Sequence, residues 1–125
     1  MAVNYSNTVK DNRLTQVLNA VDGGPSFGTI EICSAAYAAV LVTFTFSDPS
    51  GAVSSQVLTF SGMPKTATAG NSGTAAIARI KDSTGTVVAQ GLTVGTSATD
   101  VIISSTTITS GLGYSLTAAA ITHAA

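Results

Sequence analysis

Charged residues are scarce in this sequence of 125 residues, which carries five Lys or Arg and six Asp or Glu, only 9% of the chain. About 25% is usual for a soluble domain. The formal net charge of -1 creates no strong field toward nucleic acid or an anionic membrane surface. Because a weakly charged surface near zero net charge promotes association, the composition favours a subunit of an assembly over a Thr-rich monomer.

Cysteine and long apolar runs are also rare. Cys33 is the only cysteine, which excludes an intrachain disulfide and a thiolate metal cage and predicts a small side chain packed in or beside the core. The polar N-terminus, Met1 through Arg13, has no signal-peptide pattern, so we expect synthesis in a cytoplasm. The most apolar run, Ala35 to Phe46, is too short for a membrane-spanning helix, so no membrane partner is predicted.

The sequence contains no recognisable arrangement of catalytic or ligand-binding residues. His123 is the only histidine, and it lies close to the C-terminus, where a chain frays and cannot position a base. No nucleophile elbow, phosphate-binding loop or calcium-binding loop occurs, and the carboxylates are scattered singly. The sequence therefore predicts a protein that is not an enzyme, with no catalytic residue, cofactor or metal.

One amphipathic helix is predicted near the N-terminus. Ser6 or Asn7 is a candidate N-cap, and Leu14, Val17, Leu18 and Val21 recur at helical spacing. The helix should end at residues 22–25, Asp-Gly-Gly-Pro, because glycine permits a left-handed cap and proline cannot continue the ladder.

After this point the apolar period changes to two, which predicts strands. Ile30 and Ile32 alternate with Glu31 and Cys33, and Val40, Val42, Phe44 and Phe46 alternate with Leu41, Thr43 and Thr45. Short apolar segments continue to residue 122, whereas residues 65–73 have no apolar anchor and predict an exposed loop.

The predicted fold is mainly β, with seven or eight short strands and one N-terminal α-helix. Regular spacing and small turns favour an antiparallel β-sandwich or a jelly-roll-like, partly closed barrel, and immunoglobulin-like strand order stays open. Residues 1–24 should form an N-terminal arm and helix, and residues 25–125 the β domain, together one compact domain.

The candidate functional surface is an interface. Tyr5 lies before the helix, where an ordered ring would find a partner on a neighbouring chain, and Lys10 and Arg13 concentrate charge on the helix. Arg79 and Lys81 share one strand face and form a small basic patch. For this pair, the protection of an exposed sheet edge by charge is the simpler interpretation, and a ligand site is the alternative.

Several segments together resemble small structural proteins encoded by tailed bacteriophages and prophages. The likeness is one of overall pattern over most of the chain. The segments are Asp-Gly-Gly-Pro at 22–25, Thr-Phe-Thr-Phe-Ser-Asp-Pro at 43–49, Val-Leu-Thr-Phe-Ser-Gly-Met-Pro at 57–64, Gly-Thr-Ala-Ala-Ile-Ala-Arg-Ile-Lys-Asp-Ser-Thr-Gly at 73–85 and Ile-Thr-His-Ala at 121–124.

This resemblance implies a virion component, and the leading hypothesis is a capsid decoration or cement protein. Its partners would be the major capsid protein and copies of itself, as a dimer or a trimer. The alternatives are a tail- or fibre-associated module that contacts the host through exposed loops such as residues 65–73, and an adhesin, pilin-like or carbohydrate-binding β domain.

Overall fold

A computed structural model describes residues 5–23, 27–46, 50–61, 64–97 and 99–122. The predicted arm before Tyr5, the turn residues Asp48 and Pro49, and His123 lie outside these residues. The described elements are one α-helix, a short 3-10 turn at Ala35–Tyr37 and eleven strands. They are α1 (Asn7–Asp22), β1 (Thr29–Cys33), β2 (Val40–Thr45), β3 (Gly51–Ser54), β4 (Val57–Phe60), β5 (Lys65–Thr68), β6 (Gly73–Thr74), β7 (Ile77–Lys81), β8 (Val87–Gly95), β9 (Val101–Ile103), β10 (Thr107–Ile108) and β11 (Gly113–Thr122).

The main sheet curls into a half-barrel. Its strand order is β2-β1-β7-β8-β9-β11-β4-β3, with β5 paired to β11 beside this path, while β10 and β6 form a separate pair. The mainly β fold with one N-terminal helix is therefore confirmed, in its partly closed barrel form. Among the described strand pairs, β8 with β9 is the one that is parallel. Beside this pair, Asp100 exchanges hydrogen bonds with Thr93 at 3.0 and 3.1 Å.

Helix α1 begins and ends where the sequence predicts. Ser6 is its N-cap, and the Ser6 hydroxyl accepts a hydrogen bond from the Val9 amide at 3.2 Å. Gly23 is the C-cap. Leu14 and Val21 are buried and the helix lies against β3, β4 and β8, so its apolar side fills the open side of the half-barrel.

Two carboxylates of the helix hold it to the β3–β4 hairpin. Asp11 accepts a hydrogen bond at 2.8 Å from the Gln56 amide, which lies in a turn where Ser55 and Gln56 both have positive φ. At the other end of the helix, the two carboxylate oxygens of Asp22 lie 3.1 and 3.2 Å from the Ser50 amide, just before β3. The helix is thus fixed at both ends of β3.

We expect Asp22→Ala to lower the free energy of unfolding by about 1–3 kcal/mol, because it removes the acceptor from the amide of a fully buried residue, Ser50. Asp22→Asn keeps an acceptor oxygen and should lose much less. Urea denaturation of the two variants measures the difference. Equal losses in the two variants would show that the hydrogen bond to the Ser50 backbone amide is not what stabilises the fold here.

Most of the core lies between the concave face of the sheet and the helix. Phe46 and Phe60 stack with ring centroids 4.5 Å apart and an interplanar angle of 13°. The other large, fully buried side chains are Ile30, Ile32, Leu41, Val42, Phe44, Leu58, Ile80, Val101, Ile103 and Leu116, with Val21 from the helix.

The prediction of an exposed loop at residues 65–73 was wrong for its first half. Lys65–Thr68 is strand β5, which pairs in antiparallel register with Gly113–Leu116 of β11. Backbone hydrogen bonds hold this strand while Thr66 and Thr68 are exposed, so it has little apolar signal.

The segment after β5 covers Leu41, which is buried. Its position in the alternation of β2 had predicted an outward side chain. The Gly70 amide donates to the Leu41 carbonyl at 2.9 Å, and the Asn71 side-chain amide donates to the Val40 carbonyl at 2.8 Å. Residues 70–71 therefore cover the start of β2, an edge strand, on the side away from β1.

Candidate functional site

The five candidate interface residues fall into two groups in the structure. Tyr5, Lys10 and Arg13 lie at the start of helix α1, whereas Arg79 and Lys81 lie on β7. The second group contacts β1 through Glu31 and the 3-10 turn through Tyr37.

In the helix group, Arg13 is the partner of Tyr5. The Arg13 guanidinium carbon lies 4.7 Å from the centroid of the Tyr5 ring, a cation–π contact at an exposed position. Tyr5 is 42% exposed, and Lys10 forms no salt bridge with any residue that the structure describes. The ring thus has a partner on its own chain, where the sequence suggested one on a neighbour.

The sheet group is centred on Glu31. Its Oε1 atom lies 2.6 Å from Nε of Arg79 and 3.2 Å from Nζ of Lys81. Glu31 is directly opposite Arg79 in the antiparallel pairing of β1 with β7, on the face away from the buried Ile30 and Ile80. One carboxylate oxygen therefore serves two cations on the convex face of the half-barrel.

Strand β7 lies inside the sheet, between β1 and β8. The interpretation of Arg79 and Lys81 as charges that guard an exposed edge was therefore wrong. Ala78 and Ile80 alternate with these two cations and are buried, but alternation alone does not reveal which strands are neighbours.

Tyr37 supports the Arg79 side chain. It lies in the 3-10 turn, where Ala36 and Tyr37 both have φ of 57°. The Arg79 guanidinium carbon lies 5.3 Å from the Tyr37 ring centroid, and the Tyr37 hydroxyl accepts a hydrogen bond from the Gly91 amide at 2.6 Å. The Tyr37 ring thus contacts Arg79 through its face and Gly91 through its hydroxyl.

Glu31 and Tyr37 are the two site residues that sequence reasoning did not join to Arg79 and Lys81. The Glu31–Arg79 pair spans 48 residues, so no local motif contains it. The available signal was chemical: an outward carboxylate on one strand and outward cations on another favour a cross-strand pair when the strands are adjacent.

Electrostatics follow from this geometry. Burial alone would raise the pKa of Glu31, but hydrogen bonds from Arg79 and Lys81 outweigh it and hold the pKa below its ordinary value. The hydrogen bond to Glu31 raises the pKa of Arg79. Burial raises the pKa of the Cys33 thiol, which is fully buried, so this cysteine is a poor nucleophile at neutral pH.

Replacing Glu31 with glutamine should lower the free energy of unfolding at neutral pH by about 1.5 kcal/mol, as expected for charge-assisted hydrogen bonds at a half-buried site. Since the folded-state pKa of Glu31 lies below its ordinary value of 4.5, the stabilisation is complete above that value and disappears as the pH falls through the folded-state pKa. The free energies of unfolding of the two proteins should therefore converge as the pH falls below the folded-state pKa of Glu31. A difference that is independent of pH would contradict this account.

An uncharged surface surrounds the cluster. In the row of cross-strand neighbours through Glu31 and Arg79, the flanking residues are Thr43 on β2 and Gln90 on β8, both exposed. We call this surface the outer sheet face. The name covers the part of the surface formed by Thr29, Glu31, Thr43, Thr45, Arg79, Lys81, Val87 and Gln90.

The structure offers little that could carry out chemistry within the described ranges. No three His, Cys, Asp or Glu side chains there lie close enough to hold a metal ion. A shallow cleft of about 170 Å³ lies between β8 and β11, and Asp100 is the only ionisable residue among those that line it. No described helix has the length and apolar character needed to cross a bilayer.

Comparisons with protein-family models, curated proteins and solved structures found no significant match for this chain. The site must therefore be interpreted from its own geometry.

Proposed function

We propose that this chain is a non-enzymatic structural protein of a bacteriophage virion, most specifically a capsid decoration or cement protein. It is made in the host cytoplasm and binds the outer capsid shell, with the major capsid protein and copies of itself as partners. The outer sheet face carries the proposal, because its one fixed ionic cluster is flanked by uncharged side chains.

Such a face suits attachment to a protein lattice. Covering a weakly charged surface with a partner costs little hydration free energy. The central Arg and Tyr are the residue types enriched at interface centres. A contact of about 800 Å² per partner is enough for specific binding, and a homo-oligomer on a symmetry axis multiplies it over several sites. Cementing a shell in this way requires no active site.

Copy number in purified particles tests the proposal. Quantitative mass spectrometry of particles from the phage or prophage that encodes the chain should find it in amounts comparable to those of the major capsid protein. Particles stripped of the protein should bind it again and become more resistant to heat. Its absence from particles would overturn the proposal.

The same measurement separates the alternative of a tail- or fibre-associated module, which would be present in far fewer copies. That alternative relied on residues 65–73 as a recognition loop, and half of this segment is strand β5. A free adhesin or carbohydrate-binding domain would instead bind glycans without any particle.

A further inference from the structure

We propose that Arg79 and Lys81, held by Glu31 and Tyr37, form a binding site for a single acidic side chain of the shell protein. We call these four residues the Arg79–Lys81 site. This inference rests on the proposed function and specifies the chemistry of the contact: a carboxylate of the partner docks at the centre of the outer sheet face.

The charge balance of the site favours an acidic partner. Arg79 and Lys81 share one oxygen of Glu31, so two positive charges face one negative charge. The next carboxylate along the chain, Asp82, is engaged in its own turn, where it accepts hydrogen bonds from Thr84 and Thr86. One positive charge is thus left for a second carboxylate, while a cationic partner would be repelled.

The hydrogen bonds of Arg79 leave its outer donors available. A guanidinium has five N–H donors, and among the described residues the only hydrogen-bond partner of Arg79 is Glu31, reached through Nε. The two terminal nitrogens therefore have no protein acceptor within the described ranges. The Arg79 side chain is 23% exposed, so a partner carboxylate can reach it and form a bidentate pair.

The site is also arranged before a partner arrives. Nε is fixed by Glu31, one face of the guanidinium lies over Tyr37, and the Tyr37 hydroxyl is anchored to the Gly91 amide. Ordering a long side chain on binding normally costs conformational entropy, and here much of that order exists in the free protein. Lys81, 21% exposed, adds a second cation beside the fork of Arg79.

Binding to stripped particles tests the inference with three variants. Arg79→Ala should weaken attachment about tenfold or more, as for a residue at the centre of an interface. Arg79→Lys keeps the charge but loses the planar fork, so it should also weaken attachment clearly. Lys65→Ala removes a cation from β5, away from the site, and should bind within about twofold of the unchanged protein. Melting curves of each variant establish that the proteins compared are folded.

Carbodiimide coupling identifies the occupant directly. This reagent joins a carboxylate to an amine in contact with it, so mass spectrometry of coupled particles should find Lys81 linked to an Asp or Glu of the shell protein. Coupling of Lys81 to a second copy of this chain, or to Glu31 alone, would overturn the inference, as would full attachment by Arg79→Ala. If the unchanged protein does not attach to particles at all, the proposed function itself fails, and the two failures are therefore distinguishable.

Discussion

Replacing Phe46 with alanine should lower the free energy of unfolding by about 3–5 kcal/mol, the range for removing a fully buried aromatic ring. Phe46 is 2% exposed and stacks on Phe60. Phe46 follows β2, the first strand of the sheet order, and Phe60 ends β4, the last but one. The stacked rings thus join the two ends of the curled sheet, and their loss should weaken the closure of the half-barrel as well as leave a cavity.

Phe27 provides the matched control, because it is the same residue type at 51% exposure. Phe27→Ala should change the free energy of unfolding by no more than about 0.5 kcal/mol. Both variants can be compared by urea denaturation followed by circular dichroism. A loss below about 1 kcal/mol for Phe46→Ala would show that the two ends of the sheet do not depend on this contact.

The second large effect is expected at Gly51, where Gly51→Ala should cost about 3 kcal/mol. An added Cβ would overlap the Thr59 carbonyl oxygen and lie 2.9 Å from Cα of Phe60. These atoms belong to the backbone of β4, the hydrogen-bonded neighbour of β3, so no side chain can turn away to make room. The hairpin that carries helix α1 would have to shift.

Gly70→Ala is the control for this prediction. No atom lies within 4 Å of the Cβ that would be added at Gly70, and its φ is not in the left-handed region. That variant should be neutral or slightly stabilising, since alanine restricts the unfolded chain. Thermal unfolding of the pair measures the contrast, and similar melting temperatures would contradict the close approach of β3 to β4.

The sequence predicted those features that depend on neighbouring residues. Ser6 and Gly23 mark the ends of the helix because capping is local chemistry, and the buried Ile30 and Ile32 follow from the two-residue period of a strand. The one-helix, mainly β fold follows from these patterns.

Features that depend on which strands meet could not be predicted in the same way. Arg79 and Lys81 were identified as candidate interface residues, but their location inside the sheet follows from the pairing of β7 with β1 and β8. Tyr37 reaches Arg79 because two residues of positive φ turn the chain after β1. Alanine and tyrosine give no sequence signal of that conformation, whereas glycine does. Strand β5 has too few apolar side chains to show a period.

A β protein at high concentration is exposed to strand addition, since an open sheet edge offers unpaired amides and carbonyls to any neighbouring molecule. Here, the Asn71 amide and Gly70 occupy carbonyls at the start of β2, and helix α1 is tied down at both ends of β3. Strand addition at the start of β2 is thereby disfavoured. Contact between molecules through the faces of the sheet does not depend on that edge.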